Sequence, residues 1–254
     1  MTIIDAHMHL PANDISPLML RKRDVLLQEL DRNRVDRCIL IADSWDETQI
    51  GTTAELLTMF PRKPDSRVLI VGAITVHMDY MRKLGELKDF LERGQIVGIK
   101  LYTGHEPFYL TDPLLEPVYD LAIRYQVPVL FHSGWDEPHY ANPEIAAVIL
   151  QRYPALKLVC CHCWYPHPEK SPEMTKYPNL YFDLSSVADS GDVPDAAESA
   201  VRRLIEAAPD RVMFGSDAFG CSQKAHIQFI RDLRLPPETE SKIFSENAAR
   251  LYRL

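Results

Sequence analysis

Short apolar runs recur along the chain and alternate with longer segments of mixed polarity. Eight of these runs are rich in Val, Ile and Leu and nearly continuous in hydrophobicity, which is typical of parallel strands that are buried on both faces. We predict strands at 3–10, 35–42, 67–76, 96–102, 127–132, 156–164, 180–184 and 211–217. We predict helices between and after them at 18–33, 52–60, 78–92, 112–125, 143–152, 196–208, 222–233 and 237–252.

The alternation of strands with helices predicts an α/β fold with a parallel sheet. Eight such units in 254 residues have the size and rhythm of a (β/α)₈ TIM barrel. A doubly wound sheet is the alternative that the rhythm alone leaves open. The sequence contains no fixed short repeat, low-complexity segment or linker-like stretch, so we predict one domain over residues 1–254.

Composition and charge narrow the class of partner. The formal net charge is -8 and there is no run of basic residues, which argues against a nucleic-acid partner. No apolar run reaches the roughly 18 residues of a membrane span, and the N-terminus lacks a signal-peptide pattern. The five cysteines are an odd number, typical of free thiols in a reducing cytoplasm, where we expect the protein. The sequence leaves open whether it forms a homo-oligomer.

Two histidines stand near the end of the first predicted strand. Alternate side chains of a strand share a face, so His7 and His9 are expected to point the same way. Two neighbouring imidazoles form half of a metal site. A lone histidine here would instead be read as a polar core residue, so the interpretation depends on further ligands nearby.

Other strand ends supply those further polar residues. Carboxyl ends of barrel strands converge on one face, where active sites lie. Alternation within 159–164 predicts that His162 points inward while Cys161 and Cys163 point outward, which disfavours a thiolate zinc site. The polar residues that end strands four, five, six and eight are Lys100, His132, His162 and Asp217.

Several motifs, spread in order over the whole chain, carry a family resemblance. They are Asp5-Ala6-His7-Met8-His9-Leu10, Gly98-Ile99-Lys100-Leu101, Phe131-His132-Ser133-Gly134, Phe214-Gly215-Ser216-Asp217 and Asn247-Ala248-Ala249-Arg250-Leu251. With them the chain resembles the amidohydrolase superfamily. The resemblance is to its branch of small metal-dependent hydrolases, which also contains enzymes like aminocarboxymuconate-semialdehyde decarboxylase.

The resemblance implies a distorted (β/α)₈ barrel that holds a divalent metal, commonly zinc. It implies that His7, His9, His132 and Asp217 bind the metal and that Asp217 also shuttles a proton. His162 is implied either to polarise the substrate or to bind a second metal. Manganese and iron remain alternatives to zinc, because nitrogen and oxygen ligands do not select sharply among these metals.

Lys100 has two interpretations. In some members of the superfamily, a lysine at the end of strand four is carboxylated and bridges two metals. Alternatively, Lys100 is unmodified and pairs with Asp183 or Asp217, or binds a substrate carboxylate.

Residues near the same strand ends are weaker candidates. Asp5 and Asp183 are predicted to orient ligand histidines. His105, Trp135 and Trp164 follow site strands, and we predict that they rim the pocket or pack its loops.

The leading function is hydrolysis of a small-molecule amide, ester or lactone by a metal-activated water. The alternative is a non-oxidative decarboxylase with the same metal site, which the absence of a long capping insertion weakly disfavours. A nuclease of the TatD-like kind ranks third, because those enzymes carry a glutamate where this acidic chain has Gly98-Ile99-Lys100. A metal-binding module without activity is the non-enzymatic alternative.

Overall fold

The computed structural model describes residues 1–15, 18–134, 138–188 and 195–254. Eight parallel strands form one sheet in chain order. They are Ile4–Met8 (β1), Arg37–Ile41 (β2), Val68–Ala73 (β3), Ile96–Leu101 (β4), Val129–Phe131 (β5), Leu158–Cys160 (β6), Leu180–Asp183 (β7) and Val212–Met213 (β8). The helices are Met19–Asn33 (α1), Thr53–Met59 (α2), Tyr80–Glu92 (α3), Glu116–Tyr125 (α4), Pro143–Arg152 (α5), Asp195–Ala207 (α6), Gln223–Asp232 (α7), Pro237–Ser241 (α8) and Asn247–Tyr252 (α9).

Backbone hydrogen bonds between β1 and the segment after β8 close the sheet. The amide of His9 donates to the carbonyl of Ala218 at 2.7 Å, and the amide of Asp217 donates to the carbonyl of His7 at 2.8 Å. A Cβ added to Gly215 would lie 3.0 Å from the Cβ of His7, so a glycine permits this close approach. The predicted (β/α)₈ barrel is therefore confirmed, and its closure places His7 and His9 beside Asp217.

The core has two layers, as a barrel requires. Side chains such as Ile4, Ile39 and Val159 fill the barrel interior, while others such as Leu40 and Phe182 pack between the strands and the outer helices. Burial of each such side chain stabilises the fold by about 1.5–3 kcal/mol. The strands are therefore rigid supports for the polar residues at their carboxyl ends.

Local signals set the ends of individual helices. Thr52 and Glu55 form a capping box at the start of α2, in which the amide of Thr52 donates to Glu55 Oε2 at 2.8 Å. Asn142 caps α5 by accepting from the amide of Ile145 at 2.9 Å. The predicted helix at 112–125 begins as a 3₁₀ turn at Pro113–Leu115, which leaves Pro117 in the first turn of α4, where proline is tolerated.

The predicted sixth strand is shorter than expected. β6 ends at Cys160, and the chain continues as a tight turn over Cys161–Trp164. His162, Cys163 and Trp164 have φ values of 64°, 49° and 56°. These left-handed conformations interrupt strand alternation.

This turn changes where the two cysteines point. Cys161 packs in the barrel interior, and its Sγ lies 3.2 Å from the Nζ of Lys100. The prediction that Cys161 points outward is therefore wrong, because the strand ends one residue too early for alternation to hold. Cys163 lies in the outer layer as predicted, where its thiol donates to the carbonyl of Asp183 at 3.2 Å.

We expect the Cys161→Ser and Cys163→Ser variants to keep the metal content of the wild-type protein. A serine hydroxyl at position 161 can still accept from Lys100, and Cys163 faces away from the site. Elemental analysis of both variants checks this. Because Cys161 Sγ also lies near His7 and Asp183, metal loss in Cys161→Ser alone would make this thiol a ligand.

Across the described ranges, no helix combines the length and the hydrophobicity that crossing a bilayer requires.

Candidate metal centre

Three side-chain atoms converge at the carboxyl end of the barrel. The Nε2 atoms of His7 and His9 lie 3.3 Å apart. The Oδ1 atom of Asp217 lies 3.4 Å from the first of these nitrogens and 3.3 Å from the second. The three atoms form a nearly equilateral triangle, built by β1 and by the segment that closes the barrel after β8.

Hydrogen bonds on the far side of each imidazole fix which nitrogen carries the proton. His7 Nδ1 lies 3.0 Å from Asp183 Oδ2, and His9 Nδ1 lies 3.2 Å from the carbonyl oxygen of Ile41. A carbonyl oxygen and an ionised carboxylate can accept hydrogen bonds but cannot donate them. Both Nδ1 atoms are therefore assigned as donors. Each neutral imidazole then turns the lone pair of its Nε2 toward the other and toward Asp217.

Three converging acceptors repel one another unless a cation lies among them. Burial lowers the pKa of His7, which opposes a proton there. Two ligand atoms of a tetrahedral zinc site, each about 2.0–2.1 Å from the ion, are separated by about 3.3–3.4 Å. The observed separations match this value, so the donor set fits a divalent metal.

His162 stands beside this triangle. Its ring centroid lies 4.9 Å from that of His7, and burial lowers its pKa to about 3. Its Nδ1 lies 2.8 Å from Ser185 Oγ and 3.1 Å from Ser186 Oγ.

The protons of these two hydroxyls are committed elsewhere. Ser185 donates to Asp183, and Ser186 donates to Asp217 Oδ2 at 2.9 Å. A serine hydroxyl has one proton, so His162 Nδ1 is assigned as the donor, with its single N–H shared between the two oxygens. Its Nε2 then carries a lone pair, which favours the ligand alternative for His162 over the alternative in which it donates to the substrate.

His132 lies beside His162. Its ring centroid is 4.8 Å from that of His162 and 4.1 Å from that of His105. Burial, aided by His162 and Lys100, holds the pKa of His132 well below its usual range, so the ring is neutral. Its nitrogens are outside the three-atom group formed by His7, His9 and Asp217.

Lys100 is not part of the triangle. It is buried in the barrel interior, with its Nζ 3.2 Å from Cys161 Sγ and 5.2 Å from the ring centroid of Tyr102. Among the contacts of the described residues, the predicted pairing with Asp183 or Asp217 does not occur. The cysteine partner was missed because alternation placed Cys161 on the other face.

Two carboxylates support the triangle in different ways. Asp183 accepts a hydrogen bond from His7 Nδ1, as predicted, and this contact holds the pKa of Asp183 below the ordinary value despite burial. Asp5 instead accepts from the amides of His7 and Ser216, at 3.1 and 3.0 Å. It contacts the backbone of His7, because β1 has one extra residue between Asp5 and Met8 relative to β2, which breaks strict alternation.

Ser186 was not a sequence candidate, although it holds the second oxygen of Asp217. It follows β7 by three residues and has a φ of 61°, so neither strand alternation nor a common motif points to it. Burial by itself would raise the pKa of Asp217, but the neighbouring His9 and His7 hold that pKa well below its usual range. Asp217 is therefore an ionised acceptor.

We expect Asp183→Asn to weaken metal binding by about 10–100-fold, because outer partners of ligand histidines contribute on this scale. An amide accepts from His7 Nδ1 without the negative charge that makes the imidazole a better ligand. Chelator competition with the folded variant measures the affinity. The exposed Asp89→Asn serves as control, and wild-type affinity in Asp183→Asn would refute the positioning role.

A cavity of about 480 Å³ opens beside the metal centre. His9 and Asp217 form part of its wall, and His105 contributes to it as predicted. Trp164 instead packs loops, because its Nε1 donates to the carbonyl of Ala141 at 2.7 Å. Trp135 lies outside the described residues.

Solved structures with similar folds include enzymes and uncharacterised proteins. An uncharacterised TIM-barrel protein from Bordetella bronchiseptica is 22% identical, with a TM-score of 0.78 over 100% of this chain and 99% of that one. The 5-carboxyvanillate decarboxylase from Sphingomonas paucimobilis is 16% identical, with a TM-score of 0.71 over 100% and 99%. The enzyme of that name from Novosphingobium aromaticivorans, complexed with manganese and 4-hydroxy-3-methoxy-5-nitrobenzoic acid, is 17% identical, with a TM-score of 0.62 over 91% and 80%.

These identities establish the shared fold alone. A search of curated protein sequences finds no significant match. The family model described as amidohydrolase matches residues 4–254, which contain every element of the candidate metal centre. The chain therefore belongs to the amidohydrolase family.

Proposed function

We propose that this protein is a metal-dependent hydrolase of a small-molecule amide, ester or lactone. The observation that carries the proposal is the triangle of His7 Nε2, His9 Nε2 and Asp217 Oδ1, with separations of 3.3–3.4 Å, at the wall of a cavity. A cavity of about 480 Å³ lies within the usual range of small-molecule sites.

A divalent cation bound by this triangle would supply Lewis-acid chemistry, polarising a carbonyl and bringing the pKa of water to about 7. His7 and His9 hold their lone pairs toward the ion, because Asp183 and Ile41 fix their opposite nitrogens. We propose zinc as this ion, with manganese as the alternative that the manganese complex of the similar decarboxylase supports.

Asp217 is the proposed proton carrier. Its Oδ1 faces the histidines, while its Oδ2 is held by Ser186 at 2.9 Å. An ionised carboxylate in this place can take a proton from the attacking water and deliver it to the leaving group. His162 and His132 stay neutral beside it and either complete the ligand set or orient the substrate.

Decarboxylation with the same residues is the second candidate. The similarity to two 5-carboxyvanillate decarboxylases favours it. The walls of the cavity favour hydrolysis, because among the described residues they include Asp43 and Glu106 but neither lysine nor arginine to attract an acidic substrate.

Paired assays separate the two reactions. Protein loaded with zinc or manganese is given a panel of esters and lactones, with acid release followed by pH-stat, and 5-carboxyvanillate, with release of carbon dioxide followed. We expect acid release that stops on chelation and resumes when metal is returned. Chelator-sensitive release of carbon dioxide, with no hydrolysis across the panel, would instead establish the decarboxylase.

A further inference from the structure

The cavity beside the metal centre has an unusual charge balance. Beyond His9 and Asp217, its lining residues include Asp43 and Glu106. Lysine and arginine are absent from the described residues of this lining. The residues outside the described ranges, at 16–17, 135–137 and 189–194, also contain neither type. Those segments therefore cannot add a lysine or an arginine to the cavity.

Nearby lysines are engaged elsewhere. Lys83 Nζ lies 3.2 Å from Asp46 Oδ1, and Lys22 Nζ donates to Asn13 Oδ1 at 2.8 Å. Lys100 contacts Cys161 in the barrel interior. The two carboxylates of the cavity wall are therefore not neutralised by these cations.

Glu106 is held rigidly by neutral groups. It is 1% exposed, and its two oxygens accept from the hydroxyls of Ser44 and Thr75. These bonds join the loops that follow β2, β3 and β4. Burial raises the pKa of Glu106, although the hydrogen bonds from Ser44 and Thr75 and the nearby His77 oppose this rise. Burying a carboxylate away from water is costly, so a ligand cation near Glu106 would be stabilising.

Asp43 is oriented in the same way. Its Oδ1 accepts from the amide of Trp45 at 3.2 Å, and its Oδ2 accepts from Thr48 Oγ1 at 2.7 Å. Trp45 lies in the same wall and is 44% exposed. Aromatic faces attract ammonium groups, so Trp45 adds a second preference for a cation.

We propose that the substrate carries a protonated amine, which binds at Asp43 and Glu106 while the carbonyl that reacts faces His9 and Asp217. The substrate class is thus an amino ester, amino amide or amino lactone. This inference rests on the proposed hydrolase function for the reacting end of the substrate. Binding of the amine end can be tested separately, because its proposed contacts do not involve the metal.

Three probes of equal size test the amine end: benzylamine, benzyl alcohol and benzoate. Calorimetry on metal-free protein measures their binding. We expect benzylamine to bind at least about tenfold more tightly than benzyl alcohol, because hydrogen bonds to charged groups are the stronger ones. We expect benzoate to bind most weakly. Equal binding of the three probes, or a preference for benzoate, would overturn the inference.

Matched variants locate the effect. Asp43→Asn and Glu106→Gln are expected to bring the affinity for benzylamine down to that for benzyl alcohol, while the exposed Glu206→Gln leaves it unchanged. An amide at position 43 can still meet Trp45 and Thr48, so this variant tests charge with the loop intact. If Glu106→Gln fails to fold, Asp43→Asn and the wild-type probe series decide. A wild-type amine preference in a folded Asp43→Asn variant would refute the role of Asp43.

Turnover separates this inference from the proposed function. Metal-loaded protein is given 4-nitrophenyl esters of 4-aminobutyrate, valerate and succinate, and we expect kcat/KM to fall in that order. An amine preference in binding without any metal-dependent turnover would refute the hydrolase and leave the amine site standing. Metal-dependent turnover that is equal for all three esters would refute the amine site alone.

Discussion

Replacing His7 with alanine is expected to abolish tight metal binding, and replacing His9 is expected to do the same. Each change removes one corner of the triangle whose edges are 3.3–3.4 Å. Loss of an outer partner alone costs about 10–100-fold in metal affinity, and loss of a direct ligand is expected to exceed this range. Metal content after dialysis, with activity measured in parallel, checks the prediction.

The fold should survive both changes, because strand pairing of β1 uses its backbone rather than the imidazoles. His167→Ala is a suitable control, since the His167 side chain is 59% exposed and pairs with Glu169 on the surface. We expect His132→Ala to lower the metal content as well, although its nitrogens lie outside the triangle. Full metal occupancy and unchanged activity in the three variants at positions 7, 9 and 132 would refute the ligand assignment.

The second large effect is expected for Asp217→Asn. The amide keeps the size of the side chain and can still bond Ser186, so the fold should be retained. The amide cannot carry the transferred proton, so kcat is expected to fall by about 10²–10⁴-fold, the usual contribution of general acid–base catalysis. Turnover measured at saturating metal separates this loss from weaker metal binding.

The exposed Asp65→Asn gives the matched control, because it makes the same chemical change away from the site. Circular dichroism and thermal unfolding are used to check whether each variant is folded. A folded, metal-loaded Asp217→Asn variant with wild-type kcat would remove Asp217 as the proton carrier.

The barrel and the core of the site were predictable because both follow from simple periodicity. Near-continuous apolar runs marked the strands, and the carboxyl ends of parallel strands necessarily meet. The proximity of His7, His9 and Asp217 is therefore predictable although β1 and β8 are at opposite ends of the sequence. The hydrogen bonds between His9 and Ala218 and between Asp217 and His7 bring these residues together.

The misplacement of Cys161 arose where the backbone departs from ideal strands. Left-handed φ values at His162 and Cys163 end the alternation that placed Cys161, and non-glycine residues give no sequence signal for this conformation. The extra residue in β1 similarly turned Asp5 toward the backbone of His7. Glu106 carries no sequence signal, because the hydroxyls that donate to its carboxylate, those of Ser44 and Thr75, lie in two other loops.

Metal stoichiometry per chain, measured by elemental analysis on gently purified protein, tests the central claim most directly. The account predicts about one divalent metal ion per chain, removed by a chelator, restored on reconstitution and absent from the His7→Ala and His9→Ala variants. Wild-type protein that is folded but takes up no zinc, manganese or iron would contradict the account.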